Sequence, residues 1–395
     1  MKIKNEYDVV VVGIGPAGSS AARVCAEAGL SVLAVEKRAE IGSPKRCGEG
    51  LGKPTLKRMG LELDEKWVSQ PMTGATVYSP NMKHVRVDYD DVCGWIIERK
   101  VFDKWLASKA ADSGATLVTR TEVVGMKRED GRVRVSMMHN HRPLEVTAKI
   151  VVAADGVEAK VPRMLGFDTH LPLIDICSCV QFEMANVKID PDRTEFFFDQ
   201  EKSPGGYVWI FPKGKSTANV GIGVRKPWSK KLAYEYLEDF VHAHPGLKGG
   251  SIVEVNGGGV PVGGLMENMV ADNMVIVGDA AHQVNPIHGG GIGEAYVGGK
   301  LAGQVVVEAI KAGDLSEKFL SKYNSLWWDM RGNKMKKILK LRKVLESMSN
   351  DELNWLIDYL KSEDLVELSH GGGLKALATL LMKKPRLILM AKKLL

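Results

Sequence analysis

The chain is poor in cysteine. Five thiols, at positions 25, 47, 93, 177 and 179 of 395 residues, form no C-x-x-C pair and no zinc-finger spacing. An unpaired, odd set argues against a disulfide framework and fits a reducing compartment. No metal site is expected. No run of 18 or more apolar residues occurs, so no membrane-spanning helix is expected. The opening "MKIKNEYDVVVVGIG" has charge and then a short apolar run. Glycines follow it instead of a small-residue cleavage site, so it reads as the first strand of a cytoplasmic protein and not as a leader. Acids are missing from the end: none follows Glu367. The remaining composition, 45% hydrophobic and 26% charged with a net charge of +6, is that of a soluble globular protein with two or three subdomains.

Against those absences stands "YDVVVVGIGPAGSSAARVCAEAGLSVLAVEK", a β-α-β unit. Its first strand is uniformly apolar, as a parallel strand buried on both faces must be. Gly13, Gly15 and Gly18 then give G-x-G-x-x-G. Gly13 permits a tight turn, Gly15 admits a pyrophosphate to the backbone, and Gly18 lets the helix pack on the strand. The helix N-terminus, with Ala17 in its first turn, offers free N–H groups to phosphate. Glu36 ends the second strand, 18 residues after Gly18, where a carboxylate accepts hydrogen bonds from ribose hydroxyls. Cys25 falls on the packed face of this helix and reads as structural. No second G-x-G-x-x-G follows, and the position five residues after Cys47 is Gly52, so a dithiol reductase with its own nicotinamide domain is not expected.

Two further strand–turn–helix units lie at 148–166, with Asp155-Gly156 at the turn, and at 267–310, with Gly278-Asp279 followed by Pro286 and a glycine run. "ERKVFDKWLASKAADSGA" (98–115) lies between the first unit and these two. In this order the motifs resemble the FAD superfamily of p-hydroxybenzoate hydroxylase. The resemblance implies that Arg99 and Asp279 bind FAD, the latter at the ribityl chain. The turn at Gly289–Gly293, including Gly291 and Ile292, would supply backbone donors to the flavin edge. The aromatic hydroxylases have asparagine in the helix after this turn; here Glu294 stands in that region, which argues against hydroxylation.

"KRCGEG" (45–50) and "PGGYVWIFPKG" (204–214) narrow the likeness. Cys47-Gly48-Glu49 and Tyr207, Trp209, Phe211 and Pro212 resemble the geranylgeranyl reductases, above all the archaeal digeranylgeranylglycerophospholipid reductases. The resemblance implies an FAD enzyme that reduces C=C bonds of geranylgeranyl chains on a glycerophospholipid in membrane lipid biosynthesis. Cys47 would be catalytic and, with Gly48, touch the cofactor. Tyr207, Trp209 and Phe211 alternate, so they share one face of a strand. Such a stripe suits an isoprenoid chain, although core packing gives the same pattern. Two parts stay open for Cys47: it donates the proton that accompanies hydride, or its glycine-flanked loop moves and gates the flavin. "CSC" (177–179) reads as a packed pair, Glu49 as a support of the loop or cofactor, and His282 and His288 as cofactor-loop residues.

The expected fold is α/β. A Rossmann-type FAD-binding domain (1–70, 98–165, 268–312) is interleaved with an antiparallel-sheet substrate domain (71–97, 166–267), and a helical region (313–395) follows. That last region holds seven Lys/Arg between 331 and 343. Met335, Ile338, Leu341, Leu345 and Met348 recur there at steps of three and four, a stripe that suits an anionic bilayer surface. The expected partners are a polyprenyl glycerophospholipid, the membrane surface, and an electron donor that is NAD(P)H or a reduced carrier protein. No nucleic-acid motif is present. The alternatives are a flavin monooxygenase or a membrane-docking electron carrier.

Overall fold

The computed structural model describes residues 3–369 and 372–394. Its first sheet has eight strands. Glu6–Val12 sits at the centre, parallel to Val32–Val35 on one side and to Arg142–Ala153 on the other. Thr116–Val118 and Met274–Ile276 extend the parallel order outward. Val9, Val10 and Val11 are fully buried, which is what drives this apolar run to the middle of the sheet. The hairpin strands Thr121–Glu129 and Arg132–His139 hang antiparallel from Arg142–Ala153.

Helix Pro16–Glu27 packs on this sheet and crosses helix Ile292–Ala312 closely. The crossing depends on missing side chains. A Cβ on Gly299 would lie 2.0 Å from the Ala17 carbonyl oxygen, and one on Gly303 would lie 2.9 Å from Val24. The long helix thereby starts at the same sheet edge as the first one, and both N-termini face the cavity described below.

The second sheet has seven strands, ordered Ser251–Pro261, Ile176–Ala185, Thr217–Val224, Tyr207–Pro212, Arg193–Phe197, Gly74–Tyr78 and His84–Asp88. It is antiparallel except for the parallel pair Arg193–Phe197 and Gly74–Tyr78. Phe182, Ile210 and Ile222 on one face bury against Leu237 and Val241 of helix Ala233–Ala243. The other face looks toward the first sheet. Strand Gly94–Ile97 and the end of strand Val68–Met72, which fall within the 71–97 assigned to the second sheet, pair elsewhere: with Gly50–Gly52 the two strands form a small third sheet just after the cysteine loop.

From Glu317 onward the described chain is helical. No helix among the described residues is long and apolar enough to cross a membrane. The apolar stripe of helix Asn333–Glu346 does not face outward, and the bilayer-facing reading of it is corrected here. Met335, Ile338, Leu341 and Met348 are almost fully buried, and Leu341 and Met348 pack with Leu353, Leu356, Leu377 and Leu381 of the following helices. Periodicity identified an apolar face; neighbouring helices of the same chain cover it.

Candidate active site

One cavity of about 1300 Å³ runs from the edge of the first sheet, along the open face of the second, and into the C-terminal helices. Its first part is a nucleotide-shaped groove. Gly13 has φ +98, and a Cβ there would strike the Ala154 carbonyl at 2.3 Å; Gly15 faces open space. Helix Pro16–Glu27 has Gly15 as N-cap and no side-chain cap, so its terminal N–H groups remain for a ligand. Gly18 does not line the cavity: a Cβ there would meet the Gly13 carbonyl oxygen at 1.8 Å, so its part is in packing the turn. Glu36 Oε2 accepts from the Ile14 N–H at 3.2 Å, and Oε1 accepts from the Arg38 N–H at 3.0 Å. This places the carboxylate at the rim of the groove beside Gly13.

Deeper in, two carboxyls lie largely out of water. Asp155 Oδ1 is buried with no hydrogen-bond partner, and burial raises the Asp155 pKa. Burial pushes the Asp279 carboxyl up to about 6, opposed by the Arg99 charge. Buried acceptors without donors are costly unless a ligand supplies them. Hydroxyl groups of a dinucleotide cofactor are such donors, and the second uncapped N-terminus, at Gly291 and Ile292, adds N–H groups at the far end. The residues present therefore suit FAD, for which, by the resemblance, Gly15–Ala17 would take phosphate, Glu36 ribose, Asp279 ribityl hydroxyls and Gly291–Ile292 the flavin edge.

The cysteine loop closes over the far end of this groove. The Cys47 sulfur accepts the Glu49 N–H at 3.2 Å and interacts with the Arg99 guanidinium. Arg99 is itself held in a two-point pair with Asp103, both contacts 2.8 Å. Burial raises the thiol pKa, while Arg99 and the Glu49 N–H pull it down. The thiol thus keeps its proton near neutrality, and a cation stands beside it. Of the two parts left open for Cys47, the contacts of this loop favour the fixed proton donor over the moving gate. The Cys47 carbonyl accepts from Gln181 Nε2 at 3.1 Å, the Gly48 carbonyl from Asn219 Nδ2 at 3.3 Å, and the Glu49 carboxylate is buried among donors. Pro44 and the glycines shape the turn, but side chains from the second sheet pin it.

Strand Tyr207–Pro212 turns Val208 and Ile210 into its own core and Tyr207, Trp209 and Phe211 toward the cavity. The three rings follow one another at 5.8 and 6.3 Å, and Phe196 joins Tyr207 and Phe211 at 5.8 and 5.5 Å. The loop rests on this wall, since a Cβ on Gly48 would be 3.0 Å from the Phe211 ring. Tyr207 donates to the His288 carbonyl at 2.7 Å, tying the wall to the turn before Gly289. Trp209 Nε1 donates to Gln181 Oε1 at 2.9 Å, so one buried glutamine joins the wall to the Cys47 backbone. Cys177 and Cys179 sit on the same cavity face, farther along. His288 Nδ1 accepts from the Gly290 N–H at 3.1 Å, and no group of three or more residues suited to a metal occurs among the described residues.

Beyond the wall the cavity becomes an apolar arm lined by Ile338, Leu341, Leu345, Leu356, Ile357 and Leu365, among others. Glu294 anchors this region to the cofactor helix. It is buried and takes Arg331 through both oxygens, at 2.7 and 2.6 Å, and Arg58 at 3.3 Å. Sequence reasoning noted Glu294 only as a departure. It missed Gln181, Lys213, Asn219 and Phe196; Lys213 stood inside the quoted 204–214 segment, but nothing local distinguished it from a surface lysine.

Comparison with known proteins identifies the family. Residues 8–90 match the FAD binding domain model, and residues 175–260 match the geranylgeranyl reductase catalytic domain model. The second span covers the strands of the wall and of Gln181. A digeranylgeranylglycerophospholipid reductase of Methanopyrus kandleri is 42% identical over 98% of this chain and 99% of its own. One of Methanocaldococcus jannaschii is 40% identical over 98% of each. A geranylgeranyl bacteriochlorophyll reductase-like protein of Thermoplasma acidophilum superposes with a TM-score of 0.92 at 37% identity, covering 99% of this chain and 100% of that one. A myxobacterial FAD-dependent halogenase shares the fold, with a TM-score of 0.72 at 21% identity over 92% and 90% of the two chains. FAD is the cofactor, and the chain belongs to the geranylgeranyl reductase family, with the digeranylgeranylglycerophospholipid reductases.

Proposed function

We propose that this protein saturates the C=C bonds of geranylgeranyl chains on a digeranylgeranylglycerol phospholipid, in membrane lipid biosynthesis. One observation carries the reading: a single cavity joins the cofactor groove, the Cys47 thiol, an aromatic wall and a long apolar arm. An isoprenoid chain offers methyls and alkenes, so its recognition rests on apolar burial, worth ~25 cal/mol per Å². The arm gives the chain room to slide while successive double bonds meet the same thiol. The chemistry the bound, reduced flavin supplies is hydride donation to one alkene carbon. Cys47 Sγ holds the proton for the other carbon, and Arg99 stands beside the thiolate that remains. The aromatic rings keep water from the reacting carbons. The electron donor is NAD(P)H or a reduced carrier protein, reaching the flavin transiently. Reduced protein incubated with digeranylgeranylglyceryl phosphate is expected to yield lipid masses that rise in steps of one hydrogen pair, partly reduced species coming first. Hydroxylation of an aromatic substrate in air, without any reduction of the lipid, would support a monooxygenase instead.

We further infer that the protein meets the cytoplasmic face of the membrane. The supporting surface is not the tail stripe but the segment around Trp228 and Leu232, which are 40% and 71% exposed, with Tyr234, Lys226 and Lys230 exposed beside them. Trp228 stacks on Arg225 at 4.9 Å, and Arg225 lines the cavity. Tryptophan, tyrosine and lysine together suit a bilayer interface. Sedimentation with anionic phospholipid vesicles is expected to carry down the protein, and Trp228→Ser with Leu232→Ser to reduce this severalfold. Equal sedimentation of the double variant would rule out this surface.

A further inference from the structure

Glu49 combines features that a surface glutamate does not have. Its side chain has no solvent exposure. Its φ is +73, a left-handed conformation that costs a non-glycine residue energy and persists only where surroundings impose it. The surroundings here come from several parts of the fold. Oε2 accepts from Asn219 Nδ2 at 2.7 Å and from Lys45 Nζ and Lys213 Nζ at 3.2 Å each. Oε1 accepts from the backbone N–H of Arg99 at 2.8 Å. The Glu49 carbonyl accepts from the Ile97 N–H at 2.9 Å. The Glu49 N–H, held in direction by all of these, donates to Cys47 Sγ.

The charges are matched as well. Lys45 and Lys213 both also meet Glu183, and Lys213 meets Glu98 at 2.5 Å. Removing the Glu49 charge leaves two buried lysines with fewer acids between them. Four residues, Cys47 to Gly50, include two glycines and would sample many conformations without the clamp. Cys47 has no comparable anchor of its own side chain apart from Arg99.

We propose that Glu49 is the positioning residue of the Cys47 thiol: its clamped carboxylate imposes the left-handed turn whose N–H fixes the sulfur against Arg99 at the cavity wall. This rests on the reading of Cys47 as the group that acts at the cavity. It assigns the loop a fixed geometry during the reaction and not a swinging one. Glu49 acts on the proton as well, since its negative charge favours the protonated thiol.

The test is peptide-resolved labelling of Cys47 by iodoacetamide across pH, in the full flavoprotein, together with flavin content and lipid kinetics. In Glu49→Gln, loss of the charge and of the enclosure favours thiolate and outweighs the loosened N–H and Arg99 contacts, because burial is what holds the enclosed thiol above its ordinary value. The labelling midpoint is expected to fall by about one pH unit, with about tenfold faster labelling at neutral pH. Flavin content and the lipid KM should stay within a few-fold while kcat falls. Asn219→Ala, which removes a single donor, should move the same midpoint in the same direction by less, and it decides the question if Glu49→Gln does not fold. An unchanged labelling profile in the folded variants, whatever happens to Tm, would overturn the proposal and leave Glu49 a support of the fold. A shifted profile together with full turnover by Cys47→Ala would uphold the positioning role and refute only the part given to the thiol in the reaction.

Discussion

Replacing Cys47 by alanine is expected to leave a folded, yellow protein whose lipid turnover falls by about 100-fold or more. A positioned general acid contributes on the order of 10²–10⁴. The thiol is partly buried, so alanine removes one sulfur and leaves a small void at a loop that Gln181 and Asn219 still hold. Flavin content and melting temperature should therefore change little. The pH profile adds a second check. Burial holds the thiol pKa above its ordinary value, so the acid is in its active, protonated form at neutral pH and is lost only as pH rises beyond the usual thiol range. Wild-type turnover should fall on that alkaline limb, and the residual activity of the alanine variant should not show it. Near-full turnover by a flavin-loaded Cys47→Ala protein would remove the thiol from the mechanism.

Replacing Asp279 is expected to have the opposite signature: flavin is lost and apo-protein stability is gained. The carboxyl sits at the turn after strand Met274–Ile276, half-buried at the cavity wall, with its pKa pushed up to about 6. An unfolded aspartate titrates near ~3.9. An acid whose folded pKa is raised takes up a proton on folding, so its contribution to stability falls as pH rises through that interval, and the deficit persists above it. At neutral pH the deficit is on the order of 3 kcal/mol in the apo-protein. Asp279→Asn removes it, so the apo variant should melt higher than apo wild type at pH 7 and nearly equally at pH 4. The same change removes an ionised acceptor for cofactor hydroxyls, and Asp279→Ala removes the acceptor altogether. Both should purify pale, with flavin affinity reduced by at least about tenfold. Full flavin occupancy in Asp279→Ala would contradict its assignment to the cofactor.

The two predictions draw on residues of different legibility. Asp279, Arg99 and the first glycines lie in short motifs whose chemistry is local: a turn, a helix N-terminus, a strand end. The glycines could be read because the constraint and the residue are neighbours in sequence, whereas Arg99 and Asp279 were assigned through the resemblance of their motifs. The aromatic wall was legible by alternation, but its exposure to a cavity was not, since core packing writes the same pattern. The clamp on Glu49 lay beyond reading. Lys213 and Asn219 stand 164 and 170 residues away and reach it only because the second sheet folds over the loop. Mobility had been inferred for that loop from Pro44 and its glycines, which describe what the backbone permits and not what distant side chains hold. The tail stripe failed for a related reason. A helical period reveals an apolar face, and only tertiary structure reveals whether membrane or protein covers it. The interior answer here also supplies the apolar arm on which the proposed sliding of an isoprenoid chain rests.

The most direct measurement is an anaerobic single turnover. The flavoprotein is reduced chemically, freed of reductant, and mixed without oxygen with digeranylgeranylglyceryl phosphate. The absorbance of oxidised flavin is expected to return, and the lipid to gain one hydrogen pair for each flavin reoxidised, with the gain suppressed in Cys47→Ala. A flavin that stays reduced until oxygen is admitted, with lipid mass unchanged, would contradict the assignment of this cavity to alkene reduction.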